Sequence, residues 1–337
     1  MFQHEMFNMR RVHDMVKLSN VVLEKLASQF SLKPEELQYL AGGREDSDGI
    51  VYVYEKSGRK FVMKIIAMKK GNGLERVTKK LEFARFLGEH GVSTAFPRAD
   101  ERGNIFYIEE DEQYRYLAST MDYIEGTSPK TEELEGKLIY NWGKLTGKMH
   151  RITKDYPIWK NINELDHQYG YEQEIDSFYQ MCRNDIVKEK WLEIKEELSK
   201  LEITRDTYGM IHNDNHQYNL IADKNGLTLI DFDCANCHFF IQDILLPAQG
   251  LLFDRAGGMN RPIVNQDAIQ RFYDQFLNGY EKENHISNQW LDRMESFLNY
   301  RRLLLFTVMQ GWMEQDESAR NSFLELIQNP VKLQIIS

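Results

Sequence analysis

The chain has 337 residues, 42% hydrophobic and 28% charged, the balance of a globular protein long enough for two lobes. Its formal net charge of −10 excludes the basic face of a nucleic-acid binder, though it permits a cationic ligand. No apolar run reaches the ~18 residues of a membrane span, the N-terminus MFQHEMFNMRRVHDMVKL is too charged for a secretory signal, and three cysteines point to a reducing compartment, so a cytoplasmic protein without membrane partner is expected.

Residues near 14 to 30 place Val22, Leu23, Leu26 and Phe30 on one side of a helix. Gly42 and Gly43 then separate Leu40 from the β-branched and aromatic run Ile50–Tyr54, which predicts strand, glycine turn, strand. Such a turn is often only a turn, but it can also offer backbone N–H groups to phosphates. Glu45, Asp46 and Asp48 would repel phosphates there unless turned away or bridged by metal. Phe61 to Ile66 reads as a strand with Lys64 among apolar neighbours. A buried ammonium needs an anionic partner, so Lys64 either meets an anion or reaches solvent from an edge strand.

Gly73 to His90 carries Leu74, Val77, Leu81, Ala84 and Leu87 at helical spacing, with Glu75, Glu82 and Glu89 on one flank. Ile105–Glu109 and Leu117–Met121 read as strands, after which Thr120 to Gly126 leaves the sheet toward Ser128 and Pro129. Glu132 to Arg151 reads as a helix with Leu134, Leu138, Leu145 and Met149 inside. His150 fits a hydrogen-bonded helix-end histidine better than a catalyst. Further helices are expected at 171–182 and 185–200.

The most informative stretch is Tyr208 to Asp233, YGMIHNDNHQYNLIADKNGLTLIDFD. Asn225-Gly226 between apolar runs is a strong hairpin signal. Asp214, Asn219 and Asp231 supply oxygen donors on either side of it. His-x-Asp, four residues, then Asn is the spacing of a kinase catalytic loop, and Asp-Phe-Asp after a strand takes the place of the kinase magnesium motif. Mg²⁺ prefers carboxylate and amide oxygens, and an aspartate one loop away can accept the proton of an attacking hydroxyl.

This stretch resembles the aminoglycoside phosphotransferase and choline kinase family, with Asn213 where that family usually has Gly. Asn tolerates positive φ better than most residues, so the departure is mild. The resemblance runs from about residue 37 to 315 and implies an α+β, two-lobed, protein-kinase-like fold. A small lobe of antiparallel sheet and helix would span 1–125, and a larger, mostly helical lobe 126–337. It implies ATP, with GTP possible, and Mg²⁺ in the cleft, and transfer of the γ-phosphate to a hydroxyl of a small-molecule acceptor resembling an aminoglycoside, choline or sugar.

On that resemblance Asp214 is the catalytic base, Asn219 and Asp231 are the metal ligands, and Lys64 clamps the phosphates with Glu82 as its partner. Gly42 and Gly43 cover the phosphates, and Met121, Tyr123 and Ile124 line the hinge. Asp243 opens a helix and braces the catalytic loop. Arg301, Arg302, Trp312 and Glu314 lie where the acceptor site can be reached, and core packing also accounts for Trp312. A Ser/Thr protein kinase-like enzyme is the first alternative, and the missing Ala-Pro-Glu segment after Asp231 counts against it. A pseudokinase scaffold is the second, and the intact Lys64, Asp214, Asn219 and Asp231 count against that.

Cys234-Ala-Asn-Cys237-His238 matches the haem attachment motif as text. An exported, oxidising setting is lacking, and the segment follows directly on the acidic motif. A zinc site needs four donors, and only Cys182 remains. Two reduced, buried thiols are expected instead.

Overall fold

The computed structural model describes residues 18–43, 49–71, 73–157, 170–252 and 266–330. The chain forms two compact units: one runs to Gly126 and takes in Thr228–Asp233, the other comprises Thr127–Leu227 and the chain from Cys234 onward. No helix among the described residues is long and apolar enough to cross a membrane.

The first unit is built on an antiparallel sheet of β1 (Gln38–Ala41), β2 (Ile50–Lys56), β3 (Arg59–Lys69), β4 (Tyr107–Glu110) and β5 (Tyr114–Asp122), in the order β1-β2-β3-β5-β4. Helix α1 (Asn20–Gln29) begins where the Ser19 hydroxyl accepts the Val22 N–H; the expected residues before 18 lie outside the described ones. Alternation along β3 decides its two faces. Met63, Ile65 and Ala67 pack with Val22, Leu26 and Ala27 of α1. Ile66 and Met68, of opposite parity, pack with Leu74, Val77 and Leu81 of α2 (Leu74–Glu89). Lys64 shares their parity, so it belongs to the α2 side of the sheet.

The second unit holds α3 (Lys137–Thr153), α4 (Tyr171–Met181) and α5 (Asp185–Ser199), then β6 (Tyr208–Ile211), β7 (Leu220–Asp223), β8 (Gly226–Leu229) and β9 (Asn236–Phe239). α6 (Phe240–Leu245), α7 (Gln266–Tyr280), α8 (Met294–Met313) and α9 (Glu317–Gln328) follow. The expected hairpin is β7–β8, turned by Asp223, whose Oδ1 accepts the N–H groups of Asn225 and Gly226. The last residues of β8 pass into the first unit.

Two expectations change. The helix expected from 132 begins at Lys137: Thr131–Glu133 is a single 3₁₀ turn, and Gly136, at φ +53° and ψ −124°, breaks the path between them. And β9, hidden in the Cys-x-x-Cys-His text, pairs antiparallel with β6 from Tyr208↔Phe239 to Ile211↔Asn236. Cys237 is buried beside Met210, whereas Cys234 is exposed, contrary to the expected burial of both thiols.

Helices α3 and α7 pack through glycines. A Cβ at Gly143 would fall 1.9 Å from the Phe276 carbonyl oxygen, and one at Gly279 would fall 1.9 Å from that of Tyr140. Gly279→Ala gains about 1 kcal/mol of helix propensity. It must also push two backbones apart, and overpacking costs about 1–3 kcal/mol or more for a contact with rigid backbone. The net expectation is destabilisation, by up to about 2 kcal/mol, read as a lower denaturant midpoint.

Fully buried His238 sits among the rings of Tyr171, Phe297 and Tyr300. Burial pushes its imidazole pKa down to about 3. Unfolded, the ring binds a proton below about pH 6.5. The unfolded state then binds more protons than the folded one, so stability is present above pH 6.5 and lost as pH falls. Between pH 7 and pH 5 the wild type should lose about 2 kcal/mol more than His238→Phe, measured by denaturant titration.

Candidate active site

Lys64 lies midway along β3, opposite Val51 of β2 and Ser119 of β5. Its stem crosses Gly49, where a Cβ would fall 2.6 Å from Lys64 Cγ and Cε. Gly42, at φ +87°, in turn backs onto the Gly49 carbonyl oxygen, 1.8 Å from where its own Cβ would be. Gly42 and Gly49 therefore form the neck of the loop and clear the path of the lysine. Gly43 is buried at φ +106°, while Glu45, Asp46 and Asp48 lie outside the described residues. Gly49 was missed from sequence; its one signal is a third glycine immediately before β2.

The Lys64 ammonium stands 2.8 Å from Asp231 Oδ1 and 2.7 Å from Asp233 Oδ2. Two local features aim these acids. Asp231 occupies the left-handed region at φ +66°. Phe232 then packs edge-on against Phe83 of α2 at 5.9 Å, and Lys80 donates to the Asp233 carbonyl. Burial works against charge on Lys64, but the two carboxylates outweigh it and raise its pKa. Burial, with the Asp231 charge beside it, pushes the Asp233 carboxyl up against the pull of Lys64.

The expected Lys64–Glu82 pair is not formed. Glu82 lies on the outer flank of α2, between buried Leu81 and Phe83, is 47% exposed at its side chain, and pairs with Lys79 at 3.1 Å. Met121 sits opposite Val62 near the end of β5, and Tyr123 and Ile124 follow it, half-buried. The Tyr123 N–H donates to the Lys60 carbonyl at 3.3 Å, and the Lys60 ammonium lies 5.5 Å from the centre of the tyrosine ring.

In the second unit, β6 delivers His212 and Asn213 to Asp243 of α6. This fully buried carboxylate accepts both backbone N–H groups at 2.8 Å, the bracing expected of it. Its Oδ2 also meets His150 Nε2 at 3.4 Å, and His150 Nδ1 faces the Tyr280 hydroxyl at 2.9 Å. Asn213 adopts φ +60°, the conformation for which Asn substitutes for Gly. Its amide donates to Glu174 Oε2 at 2.9 Å. Asn215 accepts from Trp142 Nε1 at 2.8 Å and donates to Thr146 Oγ1 at 2.9 Å. The loop is thus tied down residue by residue.

Asp214 is gripped at both oxygens. Oδ1 accepts from Arg301 Nη2 at 3.2 Å; Oδ2 accepts from Asn219 Nδ2 at 3.1 Å and faces His216 Nε2, also at 3.1 Å. Burial alone would raise its pKa, but His216, Arg301 and His212 hold it well below the usual carboxylate range. His216 Nδ1 accepts from the Tyr218 N–H at 3.2 Å, which leaves the Nε2 proton for Asp214. Asn219 Nδ2 also donates to the Asp214 carbonyl at 2.8 Å, so its amide oxygen is the atom left for a cation. Trp312 is half-buried, Glu314 pairs with Arg183 at 3.1 Å, and Arg302 is buried, donating to Asn299.

The donors of the first unit are hard: the carboxylates of Asp231 and Asp233, which converge on one cationic group. Among the described residues no cluster of three or more His, Cys, Asp or Glu is placed to hold a metal ion. Two converging carboxylates fit Mg²⁺, which takes one or two carboxylates and completes its shell with phosphate and water.

Residues 36–286 match the model of the phosphotransferase enzyme family. The chain belongs to that family. This phosphotransferase is 24% identical over 300 residues to the amicoumacin kinase of Bacillus subtilis (strain 168), covering 86% of this chain and 84% of that one. Among solved structures it is similar to the amicoumacin kinase hAmiN in complex with AMP-PNP, Ca²⁺ and Ami, at a TM-score of 0.77 and 21% identity, over 99% and 98% of the two chains. It is also similar to a microcompartment-associated aminopropanol kinase, at a TM-score of 0.66 and 13% identity, over 92% and 97%. At such identities the structural likeness carries the protein-kinase-like fold, and the family carries the class: a small-molecule kinase or phosphotransferase.

Proposed function

We propose that this phosphotransferase moves the γ-phosphoryl group of ATP to a hydroxyl of a small amino alcohol or amine-bearing natural product. The observation that carries the nucleotide half is Lys64 held between Asp231 and Asp233. Such a trio leaves one carboxylate charge uncancelled, which a metal ion carrying a polyphosphate would offset, with Lys64 serving the phosphate oxygens and the two acids the metal. The amine half is supported by the names of the relatives, amicoumacin kinase and aminopropanol kinase, and by the acidity of the chain.

Asp231 and Asp233 would hold Mg²⁺ with the Asn219 amide oxygen. When bound, the ion neutralises charge on the transferred group. Asp214 accepts the proton of the acceptor hydroxyl; Arg301, His216 and Asn219 keep it ionised and aimed. Gly42 and Gly43 would cover the phosphates, and Gly49 keeps the path of the Lys64 stem clear. Met121, Tyr123 and Ile124 take the base. Catalysis is then mainly orientation and charge neutralisation.

Thermal unfolding with ATP or GTP, with and without Mg²⁺, tests the nucleotide half. At one hundred times Kd the folded state gains about 2.7 kcal/mol, so wild type should show a clear Mg²⁺-dependent rise in Tm that Asp231→Ala lacks. No rise with either nucleotide would overturn the reading in favour of a scaffold. ADP release with amicoumacin, 1-amino-2-propanol, choline and spectinomycin then tests the acceptor class; turnover of a protein substrate alone would replace it.

A further inference from the structure

We propose, on the reading that Asp214 is the base, that Tyr300 and Arg301 of α8 are positioning residues that clamp the catalytic loop at two successive residues, Asn213 and Asp214.

The first arm runs through Glu174. Fully buried Tyr300 donates its hydroxyl to Glu174 Oε1, and Glu174 Oε2 accepts from Asn213 Nδ2 at 2.9 Å and from Asn236 Nδ2 of β9 at 2.6 Å. Among the described residues no Lys, Arg or His lies within ion-pair distance of this carboxylate; three neutral donors satisfy it. A carboxylate so placed ties α4, α8, β9 and the loop together at one point. Asn213 is what lets the loop take part. A glycine would adopt φ +60° equally well but has no amide to offer Glu174. The departure from the family's usual residue therefore comes with a partner for it.

The second arm is direct. Arg301 is 5% exposed, its Nε is held by Gln249 Oε1 at 2.8 Å, and its Nη2 reaches Asp214 Oδ1 at 3.2 Å. A guanidinium can make two such bonds in fixed directions at once, whereas an ammonium is a single point. Asn219 and His216 hold only Oδ2. Without Arg301 the carboxylate keeps one fixed oxygen and is free to turn Oδ1. Base and acceptor must meet within a fraction of an ångström, and small misplacement is costly to rate. α8 itself is anchored: Trp191 of α5 donates to Thr307 at 3.1 Å, and Trp191 packs edge-on against Tyr300 at 5.3 Å.

Hydrogen–deuterium exchange of the full chain, compared among wild type, Asn213→Gly, Tyr300→Phe and Arg301→Lys, tests this without any acceptor. Amides from Asp214 to Asn219 should exchange about tenfold faster in each variant, with those of α3 and α7 unchanged. Asn213→Gly and Tyr300→Phe cut the same arm, so their double variant should be no faster than either single one. Unchanged loop exchange, or acceleration spread over both helices, overturns the clamp. Asn213→Gly keeps the backbone conformation and so reports even where Arg301→Lys fails to fold.

Hydrolysis of ATP without acceptor gives the kinetic arm. Arg301→Lys should lower kcat about tenfold with the KM for ATP within about twofold of wild type. Equal kcat overturns the clamp. A wild type that transfers to neither water nor any acceptor overturns the phosphotransfer reading instead, while the exchange result still decides the clamp.

Discussion

Asp214→Asn should slow phosphoryl transfer by orders of magnitude and leave nucleotide binding intact. A positioned general base contributes roughly 10² to 10⁴ in rate, so kcat should fall by about that factor while the affinity for ATP with Mg²⁺ stays within about twofold. The amide is nearly isosteric and keeps an oxygen for Arg301 Nη2, which limits the structural disturbance. What it cannot do is accept a proton at the site facing the hydroxyl. Calorimetric titration of nucleotide alongside steady-state ADP release measures both numbers on one sample. Loss of nucleotide binding together with cooperative unfolding would make Asp214 a structural residue. The low pKa of Asp214 sets the pH dependence. An ionised base persists into acid, so no loss of activity between pH 8 and pH 6 should trace to this group.

Lys64→Met should strike binding and stability together. The lysine side chain is 13% exposed and lies between two acids. Removing one partner of a buried pair costs about 3–5 kcal/mol. The lower end applies here, because Asp231 is 45% exposed and water screens it. Two adjacent carboxylates are left facing each other, and protonating one relieves the repulsion. The deficit against wild type should therefore shrink as pH falls from 7 to 4. Mg²⁺ alone should also recover part of the lost Tm, by taking the place of the ammonium between Asp231 and Asp233. Denaturation midpoints at several pH values, with and without Mg²⁺, read both. A stability equal to wild type would mean that Lys64 is held by neither acid in solution.

Much of the frame was legible in the sequence because it is written in local periods. The apolar run Phe61–Ile66 placed Lys64 inside a strand, and the apolar spacing of 74–87 placed α2 on the sheet. The positive φ expected of the residue before Asp214 is found at Asn213. Asp214 and Asn219 are five residues apart and share one loop, so spacing alone brought them together.

What failed was long-range. Lys64 and Asp231 are 167 positions apart and no period links them, while the family resemblance points to Glu82 instead. Arg301 is 87 positions from Asp214 and was expected only in the neighbourhood of the acceptor. Glu174 went unnoticed because one glutamate in a charged helix carries no pattern. β9 was concealed by its own residues: four positions, Asn236 to Phe239, buried on both faces, give no alternation to read. The start of α3 was missed because Glu132–Glu135 are ordinary helix formers, and only the backbone of Gly136 interrupts them.

The return of Thr228–Asp233 to the first unit has a consequence for how the protein is made. A ribosome that has synthesised the chain through Gly126 has finished the five-stranded sheet but not its acids. Until Asp231 and Asp233 emerge, Lys64 is an ammonium on a sheet face without its counter-ions. Domains usually complete themselves in the order of synthesis. Here the first unit must wait for more than a hundred residues of the second. A fragment cut at the apparent boundary would keep every strand of the sheet and still be deprived of its charge balance. Expression of the first 126 residues alone should yield a poorly folded product, and supplying a peptide that contains the Thr228–Asp233 segment in trans is the natural complement to it.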